Sequence, residues 1–175
     1  MPTKPRDTRT RAGLLINAYV EALVGLFALR LEEVKSAVRA HAPEMTITSS
    51  YDGQHINLDA RRVVDELSTS GTEVVTAVEQ ISCAFVAAMW DLLKGHANYD
   101  QIATTPEIQF FRHPRNACGL NGRWNFTEKD LMLPACWRDK TSALADFGQP
   151  AFNGIMNHGD VILLFIDIDL RYFQQ

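Results

Sequence analysis

Two long runs of apolar residues at helical spacing constrain this chain more than any other feature. Between Arg11 and His41, the residues Ile16, Val20, Leu23, Phe27, Leu31, Val34 and Val38 recur every three or four positions. That spacing puts them on one face of an α-helix. It predicts a single helix over about Arg11–His41, roughly 45 Å long at 1.5 Å per residue and stopped by Pro43. The second run is Val74, Val78, Ile81, Phe85, Met89 and Leu92. It follows Ser70-Gly71-Thr72-Glu73, a capping-box pattern, and ends near Lys94-Gly95, where glycine is a stop signal. Each stripe needs a partner to bury it, so the expected fold is mainly α, an antiparallel helical bundle.

The segments between and after the two runs are shorter. Met45–Leu58 alternates weakly around the turn sequence Tyr51-Asp52-Gly53-Gln54, which predicts a small β-hairpin or extended insert. Asp59 is placed to cap a short helix through Leu67. Ala135–Thr141 has the pattern of a short hairpin with a polar turn. Residues 160–173 fit two patterns. Val161, Leu164, Phe165, Ile168 and Tyr172 suit a helix capped by Asp160, whereas Ile166, Ile168, Leu170 and Tyr172 alternate with charged residues as in a strand. The helix is preferred, because a bundle offers that segment apolar faces. With 175 residues, the expectation is a basic tail over 1–11 and one domain over 12–175.

Lys4, Arg6, Arg9 and Arg11 precede the apolar stretch Ala12–Leu29, an arrangement that also occurs in signal peptides and membrane anchors. Glu21 sits in its middle, where an ionised residue costs about 2.5–3.5 kcal/mol on insertion. The helical spacing also runs on beyond any cleavage point. The expectation is a soluble, cytoplasmic protein without a membrane segment. Cys83, Cys118 and Cys136 form no C-x-x-C pair, which argues against a disulfide framework or zinc knuckle and agrees with a reducing compartment. The five histidines have no metal-ligand spacing, and no nucleotide-binding glycine loop or nucleophile elbow occurs. Asp167-x-Asp169 would put two carboxylates on one face of a strand but about 200° apart on a helix. No metal and no cofactor is therefore expected. Seventeen Lys+Arg against 21 Asp+Glu give a net charge of -4, which excludes a protein that coats nucleic acid.

That total conceals a local excess. The stretch Phe110-Phe111-Arg112-His113-Pro114-Arg115-Asn116-Ala117-Cys118-Gly119-Leu120-Asn121-Gly122-Arg123 holds three arginines and no acidic residue. Pro114 suits the first turn of a helix, where its missing N–H costs nothing. Arg115 would then adjoin exposed amides at the positive end of the helix dipole, a setting that favours phosphate. A basic, solvated helix start that merely packs Phe110 and Phe111 is the alternative reading of the same residues.

The order of these residues resembles the signature of the HEPN superfamily, in which an Arg-Asn pair precedes a His by a few positions on a bundle helix. Upstream aromatics and a following Asn-Gly are frequent there too. The likeness is specific over residues 108–123 and loose over 70–173, where Trp137-Arg138-Asp139-Lys140 and Gly159-Asp160-Val161-Ile162-Leu163-Leu164 look like later parts of some members. It implies a homodimer that brings two motifs into one cleft and cleaves RNA without metal. The 2′-OH attacks the adjacent phosphate, Arg steadies the anionic transition state, and His or its neighbours assist proton transfer. Members occur in toxin–antitoxin pairs, phage-defence systems and CRISPR effectors.

Carried over by position, Arg115 and Asn116 are the catalytic Arg-Asn pair; the basic stretch itself offers Arg112, Arg115, Asn121 and Arg123 as the candidate RNA- or phosphate-binding set. The pattern departs at position 120, where Leu stands in place of His, and neither Asn121 nor Gly122 replaces it. Losing a positioned acid–base group typically costs about 10²–10⁴ in rate. The expected function is an RNase-derived, RNA-facing module of a conflict system with impaired catalysis, partnered by a second copy and by an antitoxin or other protein. One alternative is an active metal-independent endoribonuclease in which Arg115 and Asn116 work with a substitute such as His113. Another is a non-enzymatic regulatory or structural interaction protein.

Overall fold

A computed structural model describes residues 8–41, 45–48, 55–69 and 71–174. The chain is mainly helical, with two small two-stranded sheets among the described residues. Its elements are α1 (Arg11–Ala28), α2 (Glu32–His41), β1 (Met45–Thr48), β2 (His55–Leu58), α3 (Ala60–Thr69) and α4 (Gly71–Lys94), followed by α5 (Tyr99–Ile102), α6 (Pro106–Cys118), β3 (Cys136–Trp137), β4 (Lys140–Thr141) and α7 (His158–Ile168). A π-helical turn, Asp169–Phe173, continues α7. Residues 160–173 are thus helical, as preferred from the sequence. Contacts divide the chain into two compact units, Met1–Glu21 with Glu79–Gln175, and Ala22–Val78.

The predicted single helix over Arg11–His41 is in fact two. Its rungs tighten at Leu29–Leu31, where the Arg30 amide donates to the Phe27 carbonyl and the Leu31 amide to the Ala28 carbonyl. Glu32 and Glu33 then occupy the first turn of α2, where negative charge suits the helix dipole. The buried face of α1 is Ala12, Ile16, Tyr19, Leu23 and Leu26, while Val20, Phe27 and Leu31 are exposed. Most residues of α1 are apolar, so the sequence pattern leaves open which row turns inward. Thr10 caps the helix by accepting from the Gly13 amide at 2.8 Å. Position 13 needs glycine, since a Cβ there would lie 2.9 Å from Thr8 backbone atoms.

In the smaller unit, Asp59 Oδ1 accepts from the Arg61 and Arg62 amides at 3.0 and 3.2 Å, the cap expected for α3. β1 and β2 pair antiparallel, Met45 opposite Leu58, and form the expected hairpin. The turn residues Tyr51–Gln54 and the capping Ser70 lie outside the described residues. Arg39 joins α2 to α3 through Asp65 at 2.8 Å.

The larger unit is built on aromatic packing. Tyr19, Phe85, Phe165, Phe111 and Trp90 form a chain of ring contacts with centroids 5.1–5.9 Å apart. The buried row of α4 is Val74, Val78, Ser82, Val86, Met89, Trp90 and Leu93, which differs from the predicted stripe by passing through a serine. Asn157, not Asp160, caps α7, and the helix begins earlier than expected. Asn157 Oδ1 accepts from the Asp160 amide at 2.9 Å, and Asp160 Oδ2 accepts from the Asn157 amide at 2.8 Å.

Candidate functional site

The aromatic–basic stretch lies mostly on α6, but the helix starts at Pro106 rather than at Pro114. Thr105 is extended, Pro106 has no N–H to leave unpaired, and Glu107 adds negative charge to the first turn. Pro114 therefore sits inside the helix, and Arg115 and Asn116 lie in its last turn. The dipole argument for phosphate at Arg115 falls away with that placement, because this end of a helix carries the carbonyls.

The end of α6 is closed by a tight turn. The Gly119 amide donates to the Asn116 carbonyl at 3.1 Å, and the Leu120 and Gly122 amides both donate to the Ala117 carbonyl at 2.8 and 2.9 Å. Asn121 and Gly122 take left-handed conformations, φ 57° and 71°, which asparagine and glycine tolerate best. The chain then pairs with residues 148–151: the Trp124 amide donates to the Gln149 carbonyl at 2.9 Å and the Ala151 amide to the Gly122 carbonyl at 2.8 Å.

This turn brings together part of the predicted site. Arg115 is exposed and its guanidinium reaches Asn116 Oδ1 at 3.4 Å. Among the described residues it has no acidic partner within ion-pair distance. Leu120 is exposed immediately beyond the helix. Asn121 lines a cleft of about 320 Å³ with Glu79, Gln80, Cys83, Cys118 and Gly122.

Three other predicted residues are engaged elsewhere. Arg112 pairs with Asp130 at 3.0 Å, and Asp130 in turn accepts from the Thr127 amide at 2.8 Å, which holds its carboxyl below the usual range. Arg123 donates to the Gly148 carbonyl at 2.8 Å, tying down the loop rather than facing a ligand. His113, expected at a helix start, is fully buried between Trp124 and Phe126, with centroids 6.3 and 5.0 Å away. Burial, with the Arg112 charge adding to it, pushes its pKa down to about 4. The structure does not bring this neutral ring together with Arg115.

The pair Asp167-x-Asp169 splits as a helix requires. Asp167 accepts from Trp137 Nε1 at 2.9 Å and holds Arg138 through both carboxylate oxygens at 2.9 and 3.1 Å. Asp169 is buried and accepts from Thr10 Oγ1 at 2.7 Å. Among the described residues, no group of three or more His, Cys, Asp or Glu could hold a metal ion.

Two side-chain clusters were not foreseen. Tyr19 OH lies 2.6 Å from Ser82 Oγ, which lies 2.8 Å from His158 Nδ1. Ser82 is fully buried, so no substrate reaches its hydroxyl and the trio is structural. Its signal is the serine in the four-residue row Val74, Val78, Ser82, Val86. The other cluster is Cys83 and Cys118, which line the same cleft from α4 and α6. Hydrogen bonding from the Cys118 thiol lowers the pKa of Cys83, and the same interaction with burial raises that of Cys118. Their separation in sequence hides this contact.

Comparison with known proteins gives no matching family model, no matching curated protein and no matching solved structure. Two helices, Arg11–Ala28 and Gly71–Lys94, are long and apolar enough to cross a membrane by length and composition. Both supply residues to the protein interior, including Ile16, Tyr19, Met89 and Leu93.

Proposed function

We propose that the chain is an RNA-facing, HEPN-like module of ribonuclease descent with impaired cleavage, acting in a toxin–antitoxin, phage-defence or related conflict system. The observation that carries this reading is the exposed Arg115, without an acidic partner among the described residues, beside Asn116 and at the same end of α6 as Leu120 and Asn121. In this reading Arg115 takes a phosphate, and Asn121, Gln80 and Glu79 offer polar atoms to an unpaired base in the cleft. Leu120 occupies the position of the missing acid–base group and can neither give nor take a proton. The burial of His113 favours binding without turnover over an active nuclease that uses this ring. Two copies meeting through α6 would set two Arg115 side chains in one cleft, and an antitoxin or other cytoplasmic protein would cover it.

Labelled single-stranded RNA tests the reading. Affinity should fall with rising salt, and Arg115→Ala should weaken it. Leu120→His should introduce cleavage that persists in chelator. An unmodified protein that binds no RNA, together with a silent Leu120→His variant, would sink the proposal.

A further inference from the structure

We propose that Cys83 and Cys118 form a peroxide-oxidisable dithiol, a modification site in which one intramolecular disulfide ties the middle of α4 to the last turn of α6. The inference is independent of the RNA reading.

Two observations place the thiols near each other. The two side chains come from separate helices and line one cleft. Each thiol is close enough to shift the other's pKa, with Cys118 as hydrogen-bond donor towards Cys83. Both residues are half-buried rather than sealed, and both line the 320 Å³ cleft, so a molecule as small as hydrogen peroxide reaches them. Glu79, Gln80 and Asn121 make the cleft wall mostly polar, with Phe152 as its one large apolar side chain. Arg115 adds a positive charge close enough to act on the Cys118 thiol. Cys136 lies in β3 and does not line this cleft, so it serves as an internal control.

The chemistry balances with hydrogen peroxide as the oxidant. Cys83 is the attacking sulfur, because the donated hydrogen bond favours its thiolate. It attacks one peroxide oxygen, breaks the O–O bond and becomes a sulfenic acid, and the departing hydroxide leaves as water after taking the Cys83 proton. Cys118 sulfur then attacks the Cys83 sulfur and expels the second hydroxide, which takes the Cys118 proton. Two thiols and one peroxide yield one disulfide and two waters.

The test uses the full chain, treated with hydrogen peroxide and then alkylated under denaturing, non-reducing conditions. Before alkylation, the expected result is a monomer lighter by about 2 Da, the mass of two hydrogens. Alkylation should fall from three cysteines to one, the survivor being Cys136. Peptide mapping should recover a Cys83–Cys118 linked pair that dithiothreitol separates. Cys136→Ser should retain the mass loss, and Cys83→Ser and Cys118→Ser should each abolish it. Mapping of the unsubstituted protein decides the matter by itself if either serine variant fails to fold. Three alkylated thiols after treatment would overturn the inference. So would a linkage through Cys136, crosslinks found only between chains, or oxygen added to single cysteines without a crosslink.

Discussion

The His113 ring meets the Phe126 ring edge-on at 5.0 Å, and neither of its nitrogens has a hydrogen-bond partner among the described residues. An imidazole held this way stays neutral, with a pKa of about 4 against an ordinary 6.5. In the unfolded chain the ring takes up a proton near pH 6.5, whereas in the folded protein it does not until about pH 4. Stability is unaffected above the higher value and is lost as pH falls towards the lower one. The expected loss is about 2 kcal/mol between pH 7 and pH 5. Urea unfolding at those two pH values measures it, and His113→Leu should flatten most of the difference. His158, also lowered by burial, contributes in the same direction.

Ser82 bridges Tyr19 and His158, so its removal affects two partners. Ser82→Ala leaves the buried Tyr19 hydroxyl without this bond and should cost about 1–3 kcal/mol. Tyr19→Phe leaves Ser82 bonded to His158 and should cost about 1 kcal/mol. Denaturant midpoints of the two variants and of the double variant give the coupling. Equal costs that simply add would show that the trio is not a connected network.

Asp167 holds the β3–β4 hairpin against α7 through Trp137 and Arg138. Asp167→Ala should cost about 1.5 kcal/mol from the lost Trp137 bond to a charged acceptor. The exposed arginine pair adds little. Tryptophan emission should shift at the same time, read as a difference spectrum against the parent, in which Trp90 and Trp124 cancel. An unchanged spectrum and melting temperature would mean that the hairpin is held by apolar packing alone.

Ile16 and Phe27 share the predicted stripe of the first run, but one is 2% exposed and the other 51%. Ile16→Ala should cost about 2–5 kcal/mol. Phe27→Ala should cost less than about 1 kcal/mol, because most of its ring already meets water. Thermal melts distinguish the two, and equal losses would place Phe27 in a core.

Local signals were readable wherever a single side chain decides a local structure. Asp59 caps α3, Gly95 follows the end of α4, and Ala135–Thr141 forms its hairpin. Phase and depth were harder to read. Apolar residues surround α1, so spacing alone could not choose Tyr19 and Leu26 over Val20 and Phe27. Pro114 has the chemistry of a helix start, yet Pro106 supplies one eight residues earlier and the later ring is tolerated inside. Of the predicted site, Arg115, Asn116 and Asn121 do gather at one end of α6, because they are close in sequence. The withdrawal of Arg112 and Arg123 depends on Asp130 and Gly148, partners that only the folded chain brings near. The Cys83–Cys118 contact likewise joins two helices and leaves no local mark.

Pro114 gives the site a mechanical property. Lacking an N–H, it offers nothing to the Phe110 carbonyl one turn earlier, so α6 misses a rung just before its final turn. The aromatic half, anchored by Phe110 and Phe111 in the interior, and the tip carrying Arg115, Asn116 and Cys118 are joined as beam and hinge. A load applied at the tip, whether by an anion drawn to Arg115 or by a bond formed at Cys118, would tilt the last turn about its proline and leave the beam in place.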